Sequence, residues 1–79
     1  MEIGTRPVIG GTYRHWKGNE YTVIAMARHS ETLEEMVVYR ALYGHGDVWV
    51  RPLSMFCDTV IRDGVEEPRF RLLSENGTK

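Results

Sequence analysis

Seventy-nine residues make one domain and leave no room for a large enclosed active site, because a chain this short buries only about 60% of the surface it exposes when unfolded. Hydrophobic residues at 42% against 27% charged exclude the disordered regime. Ten basic and eleven acidic residues, a net charge of −1, provide no overall field to draw the chain onto nucleic acid or an anionic membrane, so any such contact needs a local patch.

Residues 1–10 contain Gly4, Pro7 and Gly10 among few apolar positions, the pattern of a loosely ordered lead-in or one short edge strand. They show no apolar leader, and the longest apolar run, "VIAMA" at 23–27, is far too short to cross a bilayer. The single cysteine, Cys57, cannot form an internal disulfide, which favours a reducing compartment. The expected location is therefore cytoplasmic, with no membrane contact.

From Gly11 the pattern changes. "TYRHW" and "EYTVIAMAR" are aromatic and β-branched runs separated by "KGN", and Gly18-Asn19 suits a two-residue hairpin turn. That register would set Lys17 against Glu20, Trp16 against Tyr21 and Arg14 against Val23. The other face would then carry Tyr13, His15, Thr22, Ile24 and Met26.

"RHSETLEEMVVYRALYG" at 28–44 admits two readings. Thr32 with Glu35 fits a helix capping box, and Leu33, Met36, Val37 and Ala41 approximate one helical stripe. Val37, Val38 and Tyr39 in succession suit a pleated strand better, and Gly44 and Gly46 place "VVYRALY" and "VWV" within hairpin distance. A strand over 36–43 explains both halves, and "HSETLEE" becomes a polar connection with one helical turn. Pro52 ends the next strand, "PLSMFCDTV" reads as a short helix or 3₁₀ turn, Asp63-Gly64 marks a turn, and "PRFRLL" alternates as a last strand before the polar tail at 74–79. The expected fold is mainly β, a small SH3-like half-open barrel of about five antiparallel strands with one short helical turn, over residues 11–73.

Within that frame, a four-residue "GHGD" loop would put Tyr43 opposite Val48, Leu42 opposite Trp49, and Arg40 opposite Arg51. Like charges across a ladder are destabilising and call for a carboxylate or anion between them. Glu31, Glu34 and Glu35 supply the structural answer, an Arg–Glu–Arg bridge; an anion or carboxylate ligand flanked by Trp49 supplies the functional one. A register slip would separate the two arginines onto opposite faces. His29, Ser30 and Glu31 are neighbours along an extended segment and so diverge, which disfavours a triad; Ser30 and Thr32 fit loop or cap roles. His15, His29, His45 and Cys57 lack the paired spacing of a metal site, and Cys57 beside Met55 and Phe56 fits a core filler. Aromatics interleaved with arginines in "YRHWKGNEY", "VYRALY", "VWVRP" and "RFR" could stack bases, yet a core this small needs most of those rings.

The ordered blocks "YRHWKGNEY", "HSETLE", "VVYRALYG", "WVRPLSMF" and "RF" resemble a bacterial family of short proteins, domain of unknown function 1653 (DUF1653), over about Gly11 to Leu73. Lys17, Gly18, Asn19, His29 to Thr32, Glu34, Tyr39, Arg40, Leu42, Tyr43, Trp49, Arg51, Pro52 and Phe56 stand where the family pattern has them. The resemblance implies a stand-alone cytoplasmic domain and supplies no catalytic assignment. The site expected from all of this comprises His29, Ser30, Glu31, Thr32, Glu34, Arg40, Tyr43, Trp49 and Arg51. The corresponding function is a binding module for an anionic or peptide-like ligand, with nucleic acid at low affinity, and without cofactor or metal. The alternatives are a nucleotide-directed enzyme or accessory domain using His29 with Glu31 or Glu34, and a structural homodimer.

Overall fold

The computed structural model describes residues 6–75; residues 1–5 of the expected lead-in and 76–79 of the expected tail lie outside the described residues. Strands β1 (Thr12–His15), β2 (Glu20–Arg28), β3 (Glu35–Ala41) and β4 (Val48–Pro52) are followed by a one-turn helix, α1 (Leu53–Phe56), and then by β5 (Thr59–Arg62), β6 (Val65–Pro68) and β7 (Phe70–Ser74). Five strands form one sheet in the order β4-β3-β2-β1-β7, and β5 and β6 form a separate hairpin. The chain is thus mainly β with one short helix.

Residues 36–41 are strand, as their β-branched run requires. The connection at 29–34 closes with one helical turn, the Leu33 amide donating to the His29 carbonyl at 2.8 Å. The β5–β6 hairpin, of which the sequence reading had only the turn, raises the strand count above the five expected. Asp63 and Gly64 both have positive φ, 54° and 78°, the conformation that lets a two-residue turn follow the twist of its strands.

Two registers differ from expectation, each by an odd number of residues, and each difference moves side chains to the other face. In the first hairpin the loop is four residues long, not two. The Gly18 amide donates to the His15 carbonyl and the His15 amide to the Asn19 carbonyl, both at 2.7 Å, while the Trp16 amide turns away to the Arg69 carbonyl at 2.9 Å. Tyr13 consequently faces Tyr21, and Arg14 faces Glu20. This register gathers Tyr13, Tyr21 and Val23 on one buried face and gives Arg14 a carboxylate partner at 2.9 Å. A bulge between Val23 and Ala25 expels Ile24, which is exposed, and returns Met26 to the core side. Thr22 and Ile24 therefore do not share the face of Tyr13 and His15.

In the second hairpin, Ala41 closes the ladder by donating to the Asp47 carbonyl at 2.8 Å. The loop runs over 42–47, with Gly44 and Gly46 at positive φ, conformations that glycine adopts without strain. Arg40 now faces Val48, and Arg51 faces Val37. The Arg40–Arg51 pair expected from the sequence does not form. Leu42 continues toward β2, its amide donating to the Glu20 carbonyl at 2.9 Å, and in doing so it leaves β4.

The core lies on the concave side of the five-stranded sheet. Val23 and Val37 are fully enclosed at its centre, and α1 closes it with Phe56, its sole buried residue. Phe70 of β7 stacks on Phe56, with centroids 4.1 Å apart and planes 5° apart, and it meets Tyr39 at 5.6 Å and Tyr21 at 5.8 Å. Arg51 of β4 reaches the same ring, its guanidinium carbon 5.4 Å from the Phe70 centroid. Because β4 and β7 are opposite edges of the sheet, this contact means the sheet curls until its edges meet through side chains, without a closing ladder. The curl is compatible with a small barrel-like fold.

Truncating Phe70 removes the ring shared by every wall of the core. Phe70→Ala should lower the unfolding free energy by about 3–5 kcal/mol, whereas Ile61→Ala, at an exposed position, should change it by less than about 0.5 kcal/mol. Denaturant titration of the two variants measures the difference; equal small effects would contradict the assignment of Phe70 as the shared ring.

Candidate functional site

Several of the residues singled out from the sequence come together on the concave face, and several do not. The Tyr21, Tyr39 and Phe70 rings form a floor of edge-to-face contacts, with Tyr21 and Tyr39 centroids 5.1 Å apart. Tyr43, carried past the end of β3 by the long loop, leans its ring on Tyr21 at 5.6 Å, and the two hydroxyls share a hydrogen bond of 2.9 Å. Trp49 faces Tyr39 across the β3–β4 ladder and is 49% exposed, so a large apolar ring stands open beside the floor. His15 closes the opposite side, its ring 4.9 Å from Phe70.

Arg51 sits in this setting. Its Nε donates to the Tyr39 hydroxyl at 3.3 Å, its plane lies near Phe70, and it has no carboxylate partner among the described residues. A guanidinium always carries its charge. Held by a phenol and a ring, with both Nη nitrogens uncommitted to acceptors among the described residues, it presents a fork that fits a carboxylate or phosphate. An indole beside it adds stacking area for whatever body carries the anion.

The titratable groups respond to this cation-rich, half-buried face. Burial first, and then the positive charges of Arg51, Arg69 and Lys17, hold the His15 imidazole below its ordinary value of 6.5, so His15 is a neutral hydrogen-bonding group at physiological pH. Burial and the Tyr43 hydrogen bond push Tyr21 up to about 12. Its hydroxyl stays protonated and cannot serve as a base near neutrality.

The loop at 29–34 is elsewhere. It joins β2 to the start of β3, whereas Tyr43 lies beyond the end of β3; that strand's seven residues separate the two by about 20 Å. Within the loop, His29 Nδ1 accepts the Glu31 and Thr32 amides at 3.1 and 3.3 Å, and the Thr32 hydroxyl accepts the Glu34 amide at 3.2 Å. His29 thus holds the turn together with the ring nitrogen that points into it. Ser30, Glu31 and Glu34 are exposed, and Glu35 pairs with Arg6 at 2.6 Å, leaving no carboxylate over Arg51. Arg40 lies on the convex side. Sequence reasoning missed His15, Tyr21 and Phe70 as site members; the alternation of Tyr13 with His15 and the "RFR" run signalled them, but only the correct hairpin register puts them on one face.

A larger cavity of about 530 Å³ lies under Val8, between Tyr13, Phe56, Phe70 and Leu72. Of the two arginines that line it, Arg6 is committed to Glu35 and Arg71 shares the lining with the Glu75 carboxylate; its walls are mainly apolar, so the Arg51 face is the better candidate for polar recognition. No helix among the described residues is long and apolar enough to cross a membrane.

Comparison with known proteins agrees with this geometry at the level of fold. The model of a family described as proteins of unknown function, DUF1653, matches residues 11–72. The crystal structure of a DUF1653 protein from Bordetella bronchiseptica is 36% identical over 90% of this chain and 90% of that one, with a TM-score of 0.76. No curated protein matches the chain.

The lowered His15 value sets a pH dependence. The unfolded chain takes up the imidazole proton near 6.5 while the folded protein still resists it, so the unfolded state binds more protons as pH falls. The contribution is fully present above 6.5 and is lost as pH falls through the folded-state value. Denaturant unfolding between pH 7.5 and 5 should show stability falling with pH, with a smaller slope in His15→Gln; an unchanged slope would remove the claim.

Proposed function

The chain belongs to the DUF1653 family, whose description assigns no activity, and from the face just described we propose that it is a small cytoplasmic binding module built on an SH3-like half-open barrel. Its concave aromatic surface takes an anionic, peptide-like ligand. Arg51 receives a carboxylate on its Nη groups, Trp49 covers the adjoining apolar or flat part, and the Tyr21–Tyr43 hydroxyl pair supplies polar contacts at the far end. His15 stays neutral until an anion neutralises part of the Arg51 charge, and it then becomes easier to protonate.

One observation supports this reading above the rest. Arg51 is a permanent charge held in place from two sides, beside an exposed indole, with no acid provided for it among the described residues. Three other arginines do have acids, Arg6 on Glu35, Arg14 on Glu20 and Arg69 on Asp58, and of those without one among the described residues Arg51 is the one held against a buried ring. The near-neutral total charge favours a compact anionic group over a polyanionic strand, whose binding rests on many phosphate contacts.

Titration of isotope-labelled protein with short acidic peptides, nucleotides and oligonucleotides distinguishes the ligand classes. Acidic peptides should move the Trp49 indole N–H and the Arg51 and Tyr43 amides and raise the His15 titration midpoint. Arg51→Lys should weaken that binding about tenfold, because an ammonium cannot reproduce a bidentate fork. Shifts confined to residues outside this face, or an affinity indifferent to Arg51→Lys, would overturn the proposal.

A further inference from the structure

The like-charge contact that the sequence suggested between β3 and β4 occurs instead between β1 and β7. Arg14 and Arg71 are direct cross-strand partners, and they project from the side of the sheet opposite Tyr13 and Phe70. Arg14 spends Nε and one Nη on Glu20, at 3.3 and 2.9 Å. Arg71 is exposed, and no hydrogen bond or ion pair engages it among the described residues. Two guanidinium groups facing each other on adjacent strands repel, and one carboxylate relieves only one of them.

A third arginine joins them. Arg62, at the end of β5, donates one Nη to the Trp16 carbonyl at 2.9 Å, which carries the β5–β6 hairpin to the first loop. The three arginines line one cavity of about 170 Å³, together with His15, Trp16 and Glu67. Trp16 lines the cavity, and its indole nitrogen is buried without a hydrogen-bond acceptor. An indole N–H can only donate, and leaving a buried donor unsatisfied costs free energy. Glu67 is the carboxylate in the lining and forms no ion pair among the described residues.

From this we infer that the cavity bounded by Arg14, Arg62, Arg71 and Trp16 is a binding site for a phosphate-sized oxyanion, distinct from the Arg51 face. Three of the seven lining residues are arginines against one carboxylate, Glu67, and an oxyanion contributes only acceptors. Its charge relieves the Arg14–Arg71 repulsion, and its spare oxygens answer the Arg71 fork. The volume is below the roughly 300–1,000 Å³ of sites that enclose a whole drug-sized ligand, so it fits a single anionic group. The group is either a free inorganic ion or the phosphoryl end of a larger molecule whose body stays outside.

Titrating the labelled full chain with inorganic phosphate, against sodium chloride at matched ionic strength, tests this. Phosphate should give saturable shifts of the Trp16 indole N–H and the Arg71 side-chain Nε–H, and Arg71→Gln should weaken binding about tenfold or more. Arg71 is exposed and unengaged, so the variant should keep the parent amide spectrum elsewhere; Arg62→Gln gives a second, independent removal of one donor group. Adenosine monophosphate separates the two sources: binding tenfold tighter than phosphate assigns the site to a phosphoryl group on a larger ligand, and equal affinity assigns it to the ion itself. Linear drifts reproduced by chloride, or phosphate affinity unaffected by both substitutions, would overturn the inference.

Discussion

The stacked rings of Phe56 and Phe70 hold this molecule in its curled form. One comes from a single helical turn and the other from the last strand, at the edge of the sheet, and neither element has enough hydrogen bonds of its own to stay in place. A one-turn helix is unstable in isolation because nucleation costs more than one turn returns. An edge strand is secured on one side only. Stacked on one another and enclosed by Tyr13, Tyr39 and Tyr21, the two rings bind both elements to the sheet and exclude water from its concave side.

The same packing produces the candidate recognition surface. As β7 is drawn inward, Phe70 comes beneath Arg51 of the opposite edge, and a ring under a guanidinium stabilises the cation by its negative face. Tyr39 fixes the other side of that guanidinium. The cation therefore loses little freedom on meeting an anion, since its orientation is already set by the core; in a flexible surface arginine that ordering cost would be met at the moment of binding. The Tyr21–Tyr43 pair extends the core ring system toward solvent, and the exposed Trp49 stands across the ladder from Tyr39, so the fold and the proposed recognition surface share residues.

The arginines also show how unevenly the fold distributes partners for its charges. Carboxylates meet Arg6, Arg14 and Arg69, and backbone carbonyls meet Arg28 and Arg62. Arg40, Arg51 and Arg71 have neither kind of partner among the described residues; Arg51 faces the aromatic floor, and Arg71 lines a cavity with Arg14 and Arg62. The facing arginines expected between β3 and β4 are in the structure a different pair, Arg14 and Arg71 on β1 and β7. The first-hairpin and second-hairpin registers together decide which pair that is.

The sequence by itself determined the class of fold and most of the elements. Consecutive β-branched residues at 37–38 settle a strand over a helix, Pro52 ends β4, and "LSMF" forms the short helix, because these are local steric preferences that act over a few residues. Arg51 was singled out from an expected pairing with Arg40 that does not form, so its place beside Tyr39 and Phe70 was not legible in the sequence. The registers were decided only by tertiary structure. A Gly-Asn pair and a "GHGD" stretch are each compatible with loops of several lengths, and the lengths adopted are those that put Tyr13, Tyr21 and Val23, and separately Val37 and Tyr39, on one buried side. That choice depends on contacts with Phe56 and Phe70, far along the chain. Because strand side chains alternate with a period of two, the odd shifts sent Arg40 away from Arg51 and brought Arg14 to Arg71, a consequence of global burial that no local pattern records.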